Sequence, residues 1–166
     1  MFQEDDMAIS VGDRIPDVTV RTMSAEGPAA VQSTDVLGSG RVVLFAVPGA
    51  FTPTCSDHHL PGFVLRADDL ADKGVETIAC VAVNDPFVMG AWGEAQGTEG
   101  KVLMLSDGNG DFAAAMGLEL DGSGFGLGTR SQRYAAIIED GVVTELMIEP
   151  GPGLEASSAD AVLAKL

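Results

Sequence analysis

The chain has 166 residues, of which 46% are hydrophobic, so it can bury one substantial core but not two, and we predict a single domain over residues 7–166. Its formal net charge of -16 would repel phosphate backbones and anionic lipid surfaces, which argues against nucleic acids and membranes as partners. No apolar run approaches the ~18 residues of a spanning helix, and the acidic N-terminus MFQEDDM lacks the basic region of a secretory signal, so we expect a cytoplasmic protein.

The N-terminal part of the chain is expected to form an extension and a hairpin. Residues 1–6 precede Met7, where MAISVGDRIPD would be a natural start, so they are expected to be an extension. The segment before residue 41 is expected to form an N-terminal hairpin. The apolar, β-branched run 41–47 (RVVLFAV) is followed by Pro48, which predicts a buried strand that ends in a loop.

A helix is predicted directly after this loop. Residues from about 54 to 73 are compatible with a helix, although Pro61 and Gly62 predict a break or kink partway along it. Three apolar side chains are expected on its core face: Leu60, Phe63 and Leu70.

The second half of the chain continues the alternation of strands and helices. The apolar run 76–83 predicts a buried strand, and Asn84 and Asp85 are expected to cap the helix that Pro86 begins. The remaining predicted elements are a helix over 86–96, a strand over 102–106, a helix over 111–116, strands over 134–139 and 142–148 on either side of Asp140-Gly141, and a final helix from about Ser158.

This order of elements predicts an α/β fold. Alternating strands and helices indicate a mostly parallel central sheet that is covered by helices on both faces, and the closing hairpin makes the sheet mixed. The order is compatible with a thioredoxin-like core that carries an inserted helix and the N-terminal hairpin. A glycine-rich loop, residues 122–128 (GSGFGLG), precedes the closing hairpin.

Cys55 is the candidate nucleophile. It follows a buried strand and lies near the start of the predicted helix, where unpaired N–H groups and the positive end of the helix dipole favour a thiolate. The alternative is an inert, small apolar residue, which is the more common state of a helix cysteine. Cys55 and Cys80 are the two cysteines of the chain, too few for a disulfide framework, and a reducing compartment would keep both as thiols.

Thr52 lies three residues before Cys55, where a C-x-x-C dithiol site would have its other cysteine. A dithiol exchange site is thereby excluded. A threonine hydroxyl can instead donate to one peroxide oxygen and accept from another donor, which suits attack of a thiolate on an O–O bond. The structural alternative is a plain helix cap.

The segment around Cys55 resembles the active-site sequence of peroxiredoxins. Pro48, Thr52 and Cys55 match the P-x-x-x-[TS]-x-x-C motif, within a stretch, VPGAFTPTCSDHHLPGF, that is similar to the type II or type 5 branch of this AhpC/TSA-like family. Further matches are GVETIACVAVNDPFVMGAWG, LSDGNGDFAAAMGLELD, RSQRYAAIIEDGVV and IEPG, so the resemblance covers nearly everything after Val11.

The resemblance implies a thioredoxin-like fold and a thiol peroxidase. Such an enzyme reduces hydrogen peroxide and organic hydroperoxides to water and alcohols through a cysteine sulfenic acid, in antioxidant defence and cell redox homeostasis. The resemblance also implies a homodimer.

By the same resemblance, four residues of the chain match active-site positions of the family. Cys55 resembles the peroxidatic cysteine, Thr52 the peroxide-orienting hydroxyl, and Pro48 the residue that shields the thiolate from water. Arg133 matches the active-site arginine, whose guanidinium would favour the thiolate and hydrogen-bond the peroxide. The alternative for Arg133 is a surface cation at a strand start, and Arg130 lies close by but fits the pattern less well.

Two histidines follow the candidate nucleophile. Cys55, His58 and His59 lie at i, i+3 and i+4, would share one face of a regular helix, and could form a partial metal site. A zinc site needs a fourth ligand that the neighbouring sequence does not offer, so we expect neither a metal nor a cofactor. His59 matches a residue common in this branch and is expected to form a local hydrogen bond, and His58 is expected to be solvated.

The sulfenic acid on Cys55 must be reduced by a second thiol. Cys80 is 80 − 55 = 25 residues on, the spacing of the plant-like type II branch, where it has been assigned a resolving role, but burial in an apolar strand usually makes a cysteine inert. Type 5 members carry their resolving cysteine after the E-P-x-G segment, and residues 148–160 contain none. A Cys55–Cys80 disulfide and an external thiol, from glutathione, glutaredoxin or thioredoxin, both stay open, and we favour the external thiol.

Two other classes of function compete with the peroxidase. A thioredoxin-fold binding or chaperone module with a vestigial cysteine would be favoured by loss of Thr52 or Arg133, and a thiol–metal site by a fourth ligand near His59. The sequence has neither feature. We therefore predict a thiol peroxidase.

Overall fold

The computed structural model describes residues 8–151 and 153–166, and the predicted extension at residues 1–6 lies outside these ranges. The strands in chain order are β1 (Thr19–Ser24), β2 (Gly27–Gln32), β3 (Arg41–Ala46), β4 (Thr77–Ala82), β5 (Leu103–Ser106), β6 (Glu119–Asp121), β7 (Thr129–Ser131), β8 (Tyr134–Glu139) and β9 (Val142–Ile148). The helices are α1 (Ser33–Leu37), α2 (Leu60–Leu65), α3 (Ala67–Asp72), α4 (Pro86–Gln96), α5 (Asp111–Met116) and α6 (Ala159–Leu163).

Seven of these strands form one mixed sheet in the order β2-β1-β5-β4-β3-β8-β9. Strand β4 lies at the centre and pairs in parallel with β3 and β5, whereas all other neighbours in the sheet are antiparallel. The prediction of a mixed sheet is confirmed, and β1 and β2 form the expected N-terminal hairpin. The prediction of a mostly parallel sheet is wrong, because the two hairpins and the pairing of β3 with β8 and of β1 with β5 make four of the six neighbouring pairs antiparallel. The short strands β6 and β7 pair separately.

The sheet separates two hydrophobic cores because successive side chains of a strand point to opposite faces. On β3, Val43 and Phe45 pack with residues of α2, α3, α4 and α6. Val42 and Leu44 point the other way and pack with residues of α1 and α5. Helices therefore cover both faces of the sheet, as the order of elements predicted.

The helical segment after β3 departs from the prediction in the position of its irregularity. Residues 53–72 are helical, but a π-helical turn occupies Cys55–His59 and a turn at Arg66 separates α2 from α3, so there is no break at Pro61 and Gly62. Proline in a regular helix clashes with the carbonyl four residues before it, and the wider turn just before Pro61 accommodates its ring. The predicted core residues Leu60, Phe63 and Leu70 are all fully buried.

Other predicted elements agree closely with the structure. Helices α4 and α5 and strands β8 and β9 have the predicted bounds. Strands β3 and β5 are one residue shorter than predicted at one end, and β4 is one residue shorter at both ends. Asp140 and Gly141 both have positive φ, 51° and 84°, as a two-residue hairpin requires. Helix α1 and the β6–β7 ribbon, which flanks the glycine-rich loop, were not predicted. In the described ranges, no helix has the length and apolar character needed to cross a bilayer.

Candidate active site

The candidate site lies where β3 ends and the helical segment begins. Pro48 and Gly49 lead out of β3, and Cys55 is the first residue of the π-helical turn. Its side chain is fully buried, whereas Pro48 and Thr52 are partly exposed. The candidate nucleophile is thus held under a rim that solvent reaches.

Arg133 contacts the sulfur of Cys55. Strands β8 and β3 are antiparallel and pair Tyr134 with Ala46, so the residue before β8 lies beside the loop that follows β3. The Nη2 atom of Arg133 donates a hydrogen bond to Cys55 Sγ at 3.1 Å. Arg130 instead donates to the carbonyl oxygens of Leu127 and Pro48, at 2.9 and 3.3 Å. Arg133 is therefore the arginine at the sulfur, and Arg130 supports the loop.

His59 holds the other side of the Arg133 guanidinium. Its Nε2 atom lies 2.8 Å from the carbonyl oxygen of Ser157, and its Nδ1 atom lies 2.9 Å from Arg133 Nη1. A carbonyl only accepts and a guanidinium only donates, so Nε2 carries the proton and Nδ1 accepts. Burial lowers the pKa of His59 to about 4, with a further contribution from the charge of Arg133, so the ring is neutral at pH 7.

Glu149 fixes the loop that supplies this carbonyl. Its Oε2 atom accepts from the backbone N–H and the hydroxyl of Ser157, both at 2.7 Å, and from the N–H of Glu155 at 2.9 Å. Burial alone would raise the pKa of Glu149, but the hydrogen bonds from Ser157 and Glu155 lower it below its ordinary value. Glu149 lies within the matched IEPG segment, but no sequence signal indicated its bonding to residues 155 and 157.

Thr52 and Asn84 organise the loop before the cysteine. The hydroxyl of Thr52 donates to the carbonyl of Gly49 at 2.7 Å, so its lone pairs are left to accept, where the sequence suggested donation to the peroxide. Asp85 caps α4 as predicted, by accepting from the N–H of Val88. Asn84 does not cap; its Oδ1 accepts from the N–H of Ala50 at 2.9 Å and ties the end of β4 to this loop.

An aromatic contact supports the turn that carries the cysteine. Trp92 of α4 is fully buried, and its indole N–H donates to the hydroxyl of Ser56 at 2.9 Å. The ring of Phe51 lies 6.4 Å from that of Trp92. The residue next to Cys55 is thereby anchored to the neighbouring helix.

Cys80 lies in β4, the central strand, and is fully buried as expected. It belongs to the same hydrophobic core as Cys55, and both are free thiols. Burial, and after it the charge of nearby Cys55, raises the pKa of Cys80 well above its ordinary value, although Arg133 opposes this change. Cys80 is therefore a protonated thiol at neutral pH.

The regular helical spacing predicted that Cys55, His58 and His59 share one face. In the structure only His59 lies on the buried side with Cys55. His58 is exposed, whereas Cys55 and His59 are buried, because a π turn needs more than about four residues per revolution and brings i+4 rather than i+3 over the first residue. Both ring nitrogens of His59 are engaged in hydrogen bonds. Over the described ranges, no group of three or more His, Cys, Asp or Glu side chains is arranged to hold a metal ion.

Comparisons with known proteins decide the family. A family model described as Redoxin matches residues 10–163. Peroxiredoxin-2E, chloroplastic, of Arabidopsis thaliana is 47% identical over 163 residues, which are 96% of this chain and 70% of that protein. The chain belongs to the peroxiredoxin family. Peroxiredoxin-2B of the same plant is 45% identical over 159 residues, which are 95% of this chain and 98% of that protein.

A solved peroxiredoxin structure also matches closely. The crystal structure of reduced Prx3 in complex with H2O2 from Vibrio vulnificus has a TM-score of 0.91 and 51% sequence identity, and the match covers 95% of this chain and 98% of that one. The predicted thioredoxin-like peroxiredoxin fold is therefore confirmed. This peroxiredoxin is a thiol peroxidase, an oxidoreductase that acts on peroxide, so the binding-module alternative is not supported.

Proposed function

We propose that Cys55 is the peroxidatic nucleophile of this peroxiredoxin and that Arg133, Thr52 and Pro48 assist it. The observation that carries the proposal is the 3.1 Å hydrogen bond from Arg133 Nη2 to Cys55 Sγ. A guanidinium at this distance favours the thiolate, which is the nucleophilic form of cysteine. Thr52 and Pro48 lie in the short loop directly before Cys55, on the partly exposed rim of the site.

In the proposed reaction, the thiolate of Cys55 attacks the terminal oxygen of a hydroperoxide. The S–O bond forms as the O–O bond breaks, and the leaving oxygen takes the bonding pair and then a proton. The products are a cysteine sulfenic acid and water from hydrogen peroxide, or an alcohol from an organic hydroperoxide. Arg133 can donate to the leaving oxygen while charge develops on it, because a guanidinium has five N–H donors.

The other two residues have supporting roles in this proposal. Thr52 uses its hydroxyl proton on the carbonyl of Gly49, so its lone pairs can accept the O–H of the peroxide and orient it. Pro48 covers the approach to the sulfur and limits water around the thiolate. Its carbonyl is held by Arg130, which fixes the loop in place.

The proposal is tested by locating the first oxidised cysteine. One equivalent of H2O2 is added to the reduced protein, and mass spectrometry of the digested product locates the added oxygen. It should be on Cys55, both in the wild type and in Cys80→Ser, which serves as the matched control. Oxygen found on Cys80 in the wild type would contradict the assignment.

The proposed reductant is an external thiol, from glutathione with glutaredoxin or from thioredoxin. Cys80 lies in the central strand, is fully buried and has a raised pKa, so it is a poor nucleophile in the folded protein. A direct disulfide would require the Cα atoms of Cys55 and Cys80 within about 7 Å, with the π-helical turn unwound. Mass spectra of the oxidised protein with and without glutathione distinguish a glutathione adduct on Cys55 from an internal disulfide.

We also propose that the protein forms a homodimer through aromatic side chains around the site. Phe51, Phe87 and Phe125 are 56%, 65% and 88% exposed and lie in the loop before Cys55, in the first turn of α4 and in the glycine-rich loop, respectively. Phe51 has φ of 64°, a left-handed conformation that bulky residues seldom adopt, and yet presents its ring to solvent. Exposed aromatic groups of this kind are typical of interfaces.

The dimer proposal is tested by the mass of the protein in solution. Sedimentation of the wild type should give a dimer, and Phe87→Asp and Phe125→Asp should shift it to a monomer. Leu65→Asp is the matched control, because Leu65 is 79% exposed but belongs to α2 rather than to these loops. A monomeric wild type would contradict the proposal.

The physiological role that we propose is antioxidant defence and redox homeostasis, with hydrogen peroxide and organic hydroperoxides as substrates. A cytoplasmic location stays a prediction. It is tested by fractionation of the source cells with an antibody against the protein.

A further inference from the structure

The carboxylate of Glu149 is buried but binds no cation in the described part of the chain. Its side chain is one of the few charged groups in the interior, with 9% of the residue exposed. Three donors from the backbone and hydroxyl of residues 155 and 157 surround it, and none of the ion pairs in the described ranges includes it. Hydrogen bonds to an ionised group are stronger than those between neutral groups, so this carboxylate holds its loop firmly.

The loop held by Glu149 ends at the carbonyl that orients His59. Ser157 is fully buried, and its N–H and hydroxyl both bind Glu149, while its carbonyl oxygen accepts from His59 Nε2 at 2.8 Å. These contacts lie on one residue, so the carboxylate fixes the position of the acceptor. The backbone N–H of Glu149 also donates to the carbonyl of Arg133. Glu149 and Arg133 are therefore joined directly through the backbone as well as through Ser157 and His59.

The imidazole passes this constraint on to Arg133. The His59 ring is confined by Phe45 and Phe63, whose centroids lie 4.9 and 5.7 Å from its own. With Nε2 fixed on Ser157, Nδ1 can accept only along one direction, and Arg133 Nη1 lies there at 2.9 Å. The guanidinium then presents Nη2 to the sulfur of Cys55.

A neutral imidazole at this position preserves the charge of Arg133. In the described ranges, the three ion pairs do not include Arg133, so no carboxylate lies within ion-pair distance of its guanidinium. A carboxylate in direct contact would orient the guanidinium but would also offset its attraction for a thiolate. Here the negative charge is on Glu149, which Ser157 and the neutral ring of His59 separate from Arg133. At this distance Glu149 can fix the orientation of the guanidinium with less offset of its charge.

We infer that Glu149 is a positioning residue of the peroxidase site, acting through Ser157 and His59 to aim Arg133 at Cys55. This inference rests on the proposed roles of Cys55 and Arg133. It assigns a role to Glu149 and Ser157, whose hydrogen bonds do not reach Cys55 directly.

The test is a double-mutant cycle on the rate of Cys55 oxidation by H2O2, measured in a single turnover. Glu149→Gln keeps the size of the side chain. The amide of the glutamine has only one oxygen, which cannot accept from all the donors of residues 155 and 157, and its NH2 group would face N–H groups. It should slow oxidation by about tenfold to a hundredfold. In an Arg133→Met background, the same change should alter the rate by less than about twofold, since its effect passes through Arg133. Glu145→Gln, the same replacement on β9, is the matched control and should keep the wild-type rate.

A spectroscopic measurement identifies the intermediate step. The chain has two histidines, so His58→Gln leaves His59 as the only imidazole. Its Nε2–H signal should be sharp and downfield when bonded to Ser157, and Glu149→Gln should broaden it or shift it upfield. If Glu149→Gln does not fold, Ser157→Ala serves instead, because it removes the hydroxyl bond but keeps the carbonyl; it should slow oxidation in the same direction.

The outcomes separate this inference from the proposed function. An Arg133→Met rate equal to the wild type would overturn the role of Arg133 and the inference with it. A slow Arg133→Met with an unaffected Glu149→Gln would overturn the inference alone. Equal losses from Glu149→Gln in both backgrounds would show an effect on stability rather than on positioning, and would also overturn it.

Discussion

Replacing Arg133 with methionine should slow the oxidation of Cys55 by H2O2 by about a hundredfold to a thousandfold, which is the usual effect of removing one donor from a developing charge. Methionine keeps most of the apolar stem of arginine and removes the guanidinium. The hydrogen bond to Cys55 Sγ at 3.1 Å and the bond to His59 Nδ1 are both lost.

The magnitude follows from the separation of the two atoms. At 3.1 Å, opposite unit charges attract by about 1.3 kcal/mol at the dielectric constant of water and by about 5 kcal/mol at an effective value of 20. A buried sulfur under a partly exposed arginine lies between these limits. Since about 1.4 kcal/mol corresponds to a factor of ten in rate, a loss of two to three powers of ten is expected.

Rapid mixing of reduced protein with H2O2, followed by quenching and mass analysis, gives the rate constant of this step. Arg41→Met is the matched control, because Arg41 lies at the start of β3, at the opposite end of the strand from the site. A rate for Arg133→Met within about twofold of the wild type would refute the electrostatic reasoning.

Three further predictions concern Cys55, Cys80 and His59. Cys55→Ser should abolish peroxide consumption in a steady-state assay while circular dichroism shows a native fold, because a serine hydroxyl does not supply a thiolate equivalent at neutral pH; near wild-type turnover would contradict it. Cys80→Ser should keep most of its activity with glutathione and glutaredoxin, and loss of activity with both these and thioredoxin in a folded variant would identify Cys80 as the resolving thiol. The free energy of unfolding of the wild type, relative to His59→Gln, should fall by about 2 kcal/mol from pH 7 to pH 5 in urea titrations. The unfolded chain protonates His59 near 6.5, whereas burial holds its pKa in the folded protein at about 4. A stability difference between the two proteins that stays constant from pH 7 to pH 5 would contradict this reasoning.

Elements whose ends are marked by local start, stop or turn signals could be predicted from the sequence. Helix α4 begins where Asp85 caps it and Pro86 occupies its first turn, and both signals are local. The β8–β9 hairpin follows from Asp140 and Gly141, whose positive φ values suit a two-residue turn. The central strands followed from apolar runs that end at loops. The contact between Arg133 and Cys55 agrees with the position that the family motif indicated.

Features that depend on distant contacts could not be read from the sequence. Pro61 indicates an irregular helix but not where the irregularity lies, and the π-helical turn precedes it at Cys55–His59. A regular helical period therefore misplaces His58 relative to Cys55 and His59. The bond between His59 and Ser157 joins residues 98 positions apart, and neither residue type indicates the other. For Glu149, a carboxylate followed by proline and glycine is typical of a solvated turn, and only the folded chain brings it to the N–H groups of its own loop.

The hydrogen bond from Trp92 to Ser56 makes the protein its own optical probe. The chain has one tryptophan, so its ultraviolet emission comes from a single indole, bonded to the residue that follows Cys55. Formation of a sulfenic acid, its capture by a thiol or unwinding of the turn would each alter the surroundings of that indole. Successive chemical states of the cysteine can therefore be followed by fluorescence in real time without a dye, a label or a coupled enzyme.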